Sequence, residues 1–445
     1  MSLIGPLPAV VVLVLGAAVV LVLVGPISSR PTLATIAGLP FAIIALIVGL
    51  LGPPPQSLAV GALCAVCVLA LLALPALQAE VPAHVAESAA LLLLATGGAI
   101  GLANASDLLQ TVVGLETLAL SAVVLVAIGA GDAALEAAFK YLVLGAISLA
   151  GLLFGIGLIY LSTGAFAFPT AAQVGANPVT LAGVVLVGLG LAFELALVPF
   201  HWGALDAYTA AAPALAGFVM SASKLGAAFA LGRLVVGAGA PLSQVLVWIG
   251  CLTIIWGTFG AIAQSGTIWP RTTEPSPADN LRRMLAYSAI THAGFIGLAL
   301  GCLPNGPTTA AFYAAVYGSI AMLVFAALAG LPPALDLRTL GPLRAVALGL
   351  GLFSLSGIPP TPGFWAKLAV LVVAWQSAGP LATLIAVAGG VFSVLYYLRP
   401  LPDLFAALRA SVPAARAGAM PGVVLATLTV ALISLFPGLV WALAR

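Results

Sequence analysis

The sequence predicts an all-α polytopic membrane protein of about 14 transmembrane helices, with two inverted five-helix bundles and broken helices seven and twelve. Three observations predict this class. The 445 residues are 63% hydrophobic and 6% charged, where soluble proteins average roughly a quarter charged. Apolar runs of about 20 residues, each long enough to cross the hydrocarbon core, recur from end to end. The runs are continuous rather than alternating, which selects helices over a barrel. No stretch is polar enough to form a soluble domain.

Taken in order, the apolar runs and their breakers place spans at 7–25, 32–52, 57–77, 88–104, 107–129, 136–161, 178–200, 213–236, 242–263, 284–303, 307–330, 341–377, 380–400 and 419–442. The first run lacks a basic flank and reads as a retained helix, not a signal peptide. The seventh ends at Pro199, followed by a polar stretch with His201, Asp206 and Tyr208 before Pro213. The twelfth is too long for one crossing and is interrupted at Pro359, Pro360 and Pro362. Proline frees backbone carbonyls, and a spanning helix tolerates that only where the break packs in protein or lines a cavity.

Interrupted helices at corresponding places in two halves mark a transport site. The seventh and twelfth spans are five apart, so they cross in opposite directions. This divides the chain into N-terminal helices one to three (1–87), a first repeat (88–236), an inverted second repeat (242–400) and helix 14 (419–442).

Arginines set the orientation. With the N-terminus outside, the inside loops collect Arg30, Arg271, Arg282, Arg283, Arg338, Arg344, Arg399, Arg409 and Arg416, and the outside keeps Arg233 and Arg445. Both termini are therefore expected on the non-cytoplasmic side of the cell's inner (plasma) membrane. The net charge of +2 and the absence of a basic patch give no sign of nucleic-acid binding. Cys64 and Cys67 form a CxxC, but no second pair follows, and they read as small residues on one helix face.

The three lysines, Lys140, Lys224 and Lys367, all fall within spans, and so do Glu116 and Glu194. Each charge at the bilayer centre costs about 2.5–3.5 kcal/mol on the insertion scale. One of them is explained by a structural ion pair or a snorkelling end. Five on five helices read as a proton or ion pathway. Lysine suits the task because desolvation favours its neutral amine, whereas arginine stays protonated. His292 adds a group that exchanges protons near neutrality, with helix packing as its other reading. His201, at the break, lines a water path or caps freed carbonyls. Tyr396 and Tyr397, beside Arg399, read as an interfacial anchor, Arg282 and Arg283 as orientation charges, and His84, between Glu80 and Glu87, as a solvated loop residue. Nothing resembles a phosphate loop, an iron–sulfur cysteine set or a nucleophile triad.

Over about residues 88 to 400 the chain resembles the antiporter-like subunits of proton-pumping NADH:quinone oxidoreductase, respiratory complex I, and most of all the N-type subunit, called subunit 2 in mitochondria. GLETLAL around Glu116 resembles the fifth-helix glutamate motif. EAAFKYLVLGAISLAGLLFGIGLIY resembles the sixth helix, with its lysine at Lys140. ALVPFHWGALDAYTAAAPALAGFVMSASKLGAAF resembles the broken seventh helix and the eighth-helix lysine, Lys224. NLRRMLAYSAITHAGFIGLAL and SLSGIPPTPGFWAKLAVLVVAW resemble the tenth and twelfth helices, with His292 on the central axis and Lys367 at the terminal-channel position. The DAY after the seventh-helix break, the lysine after the twelfth-helix break and the lack of a long lateral helix after the fourteenth span favour the N-type.

The resemblance implies a non-redox membrane-arm subunit of the enzyme. Its proton pathway would comprise Glu116, Lys140, Glu194, Lys224, Lys367 and His292, driven by quinone reduction elsewhere. No cofactor is expected in this chain; flavin, iron–sulfur clusters and quinone belong to partner subunits. The partners implied are other membrane-arm subunits, neighbouring antiporter-like ones among them, and the lipid bilayer. The sequence departs from the pattern at Glu194, where N-type members carry lysine, and LDAYTAAAP is looser than the family motif. Glu194 either shares one proton with Glu116 or pairs with Lys224. The rival functions are a subunit of a multisubunit cation/proton antiporter without redox partners and, prompted by Glu194, a structural spacer that has lost transport.

Overall fold

A computed structural model describes residues 7–22, 31–77, 84–129, 131–265, 277–331, 336–409 and 420–444. Those residues form helices and connecting turns, with no strand among them. Helices α1 (Leu7–Val22), α2 (Pro31–Leu50) and α3 (Gln56–Leu77) come first. They are followed by α4 (Val85–Ala103), α5 (Leu108–Ala127), α6 (Asp132–Thr163), the short α7 (Ala171–Ala176), α8 (Pro178–Glu194), α9 (Trp202–Ala210) and α10 (Pro213–Ala238). Next are α11 (Ala240–Ser265), α12 (Pro277–Leu300), α13 (Gly306–Leu328), α14 (Pro342–Ser356), α15 (Pro362–Ser377) and α16 (Pro380–Tyr397). The chain closes with α17 (Leu401–Ala407), α18 (Met420–Leu435) and α19 (Pro437–Ala444).

Among the described residues nine helices are long and apolar enough to cross a membrane, or ten if α18 and α19, which meet at an 83° bend, form one span. The other apolar runs of the sequence fold as the shorter helices α1, α8 and α14, as α15, and as the more polar α12.

Local chemistry sets the helix ends. Asp107 caps α5 by accepting from the Gln110 amide at 2.8 Å, and Asn177 caps α8 by accepting from the Val179 amide at 2.9 Å. Proline stands in the first turn of α8, α10, α14, α15 and α16, where its missing N–H is no loss. Gly164 and Gly357 end α6 and α14 in the left-handed region, which costs glycine little.

Helices α10 and α13 are enclosed along almost their whole length and form the centre. Around them α1, α2, α6, α11 and α16 turn large apolar side chains outward, such as Leu15, Ile147, Phe259 and Leu384. An apolar perimeter around a packed interior is what lipid requires of a helical protein. Small residues bring backbones together, as is usual between membrane helices. A Cβ on Gly114 of α5 would overlap the Leu102 amide nitrogen of α4, and one on Gly250 of α11 would overlap the Leu298 amide nitrogen of α12.

The helical run stops at Glu194 and resumes at Trp202, and it stops again at Ser356 and resumes at Pro362. Both interruptions fall at the interior prolines; residues 195–198 of the first and Thr361 of the second are buried, while Pro199, Pro359 and Pro360 are exposed. At the first, Ala196 takes φ +61° and the Val198 amide donates to Thr253 Oγ1 of α11 at 3.0 Å. At the second, the Gly363 amide donates to Ser354 Oγ at 3.3 Å. The chain passes so close there that a Cβ on Gly363 would overlap the Ser354 carbonyl oxygen. Freed backbone groups thus find partners inside the bundle, as a non-aqueous setting demands.

Two arginines read as loop charges have structural partners. Buried Arg344 donates to the Ala329 carbonyl at 2.8 Å, beyond the C-terminus of α13. Arg233 donates to the Ala105 carbonyl at 3.0 Å, just past α4. Unsatisfied carbonyls at helix ends attract cations, which is the physical reason in both cases. Arg282 is half-buried and Arg283 exposed. His84 is an exposed residue 3.9 Å from Glu87. Arg30, Arg271, Arg416, Arg445 and Glu80 lie outside the described residues.

Candidate functional site

The two interruptions aim polar side chains into the core of the bundle. Lys224, on central α10, is fully buried. Its ammonium donates to the Tyr208 phenol oxygen at 3.2 Å and sits 4.7 Å from the centre of that ring and 5.6 Å from that of Tyr317. Tyr208 arrives on α9, which exists because the preceding helix breaks. Tyr317, on α13, donates to the Met220 sulfur at 3.3 Å, and its ring lies tilted against that of His292, 4.9 Å between centres.

His292, buried on α12, is bonded through both ring nitrogens. Nδ1 meets the Tyr313 hydroxyl at 2.7 Å and Nε2 the Tyr397 hydroxyl at 3.0 Å. Tyr397 in turn shares a hydrogen bond with Ser288. The ring lies within electrostatic reach of both Lys224 and Lys367. Lys367, on α15 just past the second break, is 7% exposed. Its ammonium donates to the Ser356 carbonyl at 2.8 Å, the last residue before that break, and to Ser393 Oγ of α16 at 3.2 Å. It also stands 5.7 Å from the Phe295 ring, which stacks on Tyr313. Gly357, at φ +83°, leaves room for the lysine stem, since a Cβ there would lie 2.9 Å from Lys367 Cδ.

On the other side of Lys224, Glu194 ends α8 at the first break. It is the one carboxylate classed as buried among the described residues, and its Oε1 has no hydrogen-bond partner. Glu194 lies within electrostatic reach of Lys224 and of Glu116. Glu116 is half-buried on α5 and faces the same cavity of about 120 Å³, walled by α5, α6 and α8.

The structure therefore brings five of the six sequence-predicted groups into one interior row, in the order Glu116, Glu194, Lys224, His292, Lys367. Lys140 is the exception. Its side chain is 47% exposed and is held at the surface by Glu136 at 2.7 Å and Asp206 at 3.3 Å. The expectation that all three lysines are buried fails for Lys140. Its carboxylate partners lie four residues earlier on α6 and on the exposed side of α9, and they hold it there.

Tyr396 and Tyr397 are also corrected. Read as an interfacial anchor, both are fully buried, because α16 packs its C-terminal turn against α12, where His292 accepts or donates to Tyr397. His201 is buried with its ring 4.7 Å from Trp202 and 5.7 Å from Trp256, and it makes no side-chain cap hydrogen bond. The bridging tyrosines 313 and 317 were not singled out from the sequence. Their four-residue spacing puts both on one face of α13, and that spacing is the signal that points to them.

Comparison with known proteins decides what this row belongs to. The family described as NADH:quinone oxidoreductase/Mrp antiporter, TM, matches residues 105–393, which include every group of the row. The NADH-quinone oxidoreductase subunit N of Geotalea uraniireducens is 34% identical over 338 residues, covering 72% of this chain and 69% of that protein. This chain belongs to the NADH:quinone oxidoreductase/Mrp antiporter family of membrane subunits. Subunit N of Chloroflexus aggregans, 32% identical over 382 residues, spans 80% of this chain and 75% of its own length.

Within the family, a chain of respiratory complex I from Thermus thermophilus superposes at TM-score 0.76 with 27% identity, covering 98% of both chains. The Mrp complex of Dietzia sp. DQ12-45-1b gives TM-score 0.80 at 20% identity, covering 100% of this chain and 96% of that one. At that identity the likeness is one of fold. The family assignment agrees with the resemblance carried by the motifs around Glu116, Lys224 and Lys367.

Proposed function

We propose that this chain is a proton-translocating membrane-arm subunit of a complex I-type NADH:quinone oxidoreductase, and that the row from Glu116 to Lys367 carries the proton. The observation that carries the reading is the enclosure of two ammonium groups, Lys224 and Lys367, with His292 between them and tyrosine hydroxyls bridging the gaps. Unpaired charges at membrane depth are expensive, and an intramembrane ionisable residue marks a functional path. Neither ammonium has a carboxylate within ion-pair distance among the described residues; each donates to neutral oxygens, so each amine remains available to take and give a proton.

In this mechanism Lys224 is the central relay and Lys367 the exchange point with a neighbouring channel or with the outside. Coupling is electrostatic: a change of charge at one group shifts the proton affinity of the next. Lys140, with Glu136 and Asp206, acts from the lateral face rather than in the row. The division into helices one to three, two inverted five-helix units and helix 14 is part of the proposal. It is supported by the two interruptions and by the matching glycine-mediated approaches of α4 to α5 and of α11 to α12. Both termini on the non-cytoplasmic side of the bacterial inner membrane follow from the arginine distribution.

Electron transfer belongs to partner subunits holding flavin, clusters and the quinone site, with antiporter-like neighbours beside this chain. The subunit N names of the Geotalea and Chloroflexus relatives favour this assembly over the cation/proton antiporter reading, for which the Mrp likeness offers fold alone. Purification of the intact assembly through a tag on this chain tests it. Cluster-bearing and quinone-site subunits should co-purify. Recovery with antiporter subunits and no redox subunit would replace the proposal by its rival.

A further inference from the structure

Resting on the transport reading above, we propose that Glu116 and Glu194 together form a hydrated site, walled by α5, α6 and α8, that holds a single proton between two carboxyl groups. The site takes the place of a carboxylate–ammonium pair, and it has three structural supports. Both residues line one cavity of about 120 Å³, room for roughly four waters at liquid density. Glu194 lines that cavity, is 2% exposed, and has no hydrogen-bond partner at Oε1. The alternative of a direct ion pair with Lys224 is not made, because the lysine is committed to the Tyr208 oxygen and the Met220 carbonyl.

Two neighbouring carboxyl groups in an apolar wall do not both ionise, and sharing one proton is their low-energy state. The rest of the wall favours a proton over a metal cation. It is formed largely by hydrocarbon, including Leu120, Leu142, Leu149 and Phe193, whereas hard cations take about six oxygen ligands. The sign of the coupling follows. With one proton the pair is an anion that attracts the proton of Lys224; with a second proton it is neutral and releases that hold. A second proton arriving at the pair therefore loosens the proton on Lys224, the next group of the row.

Infrared spectroscopy of the full chain in liposomes, with carbon-13 glutamate and in H₂O and D₂O at neutral pH, reads this site without turnover. The wild type should show a protonated glutamate carbonyl band that moves on deuteration. Glu194→Gln should abolish it, since the half-buried Glu116 left alone ionises, and Glu116→Gln should weaken it, since removing the neighbouring carboxylate makes the enclosed Glu194 easier to ionise. A band missing from the wild type overturns the proposal. So does a band of undiminished strength in Glu116→Gln, which would make Glu194 a lone acid, or one that fades as sodium is added. Glu116 is half-buried, so its variant folds even if the buried position resists change. A chain that translocates nothing can still pass or fail, which separates this site from the transport reading.

Discussion

Lys224→Ala is expected to cut proton translocation to near the passive leak, a fall on the order of a hundredfold, the scale at which one positioned proton donor contributes. The ammonium is fully enclosed and is the group linking Glu194 on one side with Tyr208, Tyr317 and His292 on the other. Alanine leaves no amine between Glu194 and His292. It also removes a buried charge, which offsets part of the cavity it creates. The chain should therefore still fold and assemble. Reconstituted complex, with the pH gradient followed alongside NADH oxidation, checks this. Translocation at the wild-type rate would remove Lys224 from the path.

Lys367→Ala should have a comparable effect on translocation and a larger one on stability. Its ammonium satisfies the Ser356 carbonyl, which the end of α14 leaves without a helical partner, and it reaches Ser393 on α16. A buried acceptor deprived of its donor costs about 1–3 kcal/mol. The variant should unfold at lower temperature than the wild type and pump on the order of a hundredfold less, as expected when a positioned proton-transfer group is lost. Lys367→Ala with unchanged melting and unchanged proton flux would show that the carbonyl is served by something else and that the exchange point lies elsewhere.

The fold was open to reading from sequence because lipid leaves few choices. A chain with 6% charge must hide its backbone polarity in helices, and interior prolines show where those helices stop. Lys224 and Lys367 stood out for the same reason, since an ammonium in a run such as VMSASKLGAAF has no cheap explanation. Burial was less legible. Lys140 lies in an equally apolar run, but whether a helix face looks inward depends on which neighbours cover it, and α6 turns that face out. The tyrosines failed in the opposite direction. In a membrane sequence Tyr396 and Tyr397 near Arg399 suggest the interface, and only the packing of α16 on α12 reveals that Tyr397 bonds His292. The contact spans 105 residues of chain, and a single sequence carries no local trace of it. Glu194 was legible as a departure from the family pattern, while its shared cavity with Glu116 was not.

The central claim is that Lys224 moves a proton rather than merely placing a positive charge. Lys224→Arg keeps the charge on a group that does not release its proton near neutrality. With proton flux and NADH oxidation measured in the same vesicles, and melting temperature confirming an intact fold, this account predicts that flux is lost as fully as in the alanine variant. Pumping at the wild-type rate with arginine in place would show that a fixed charge is enough, and the relay described for this row would be wrong.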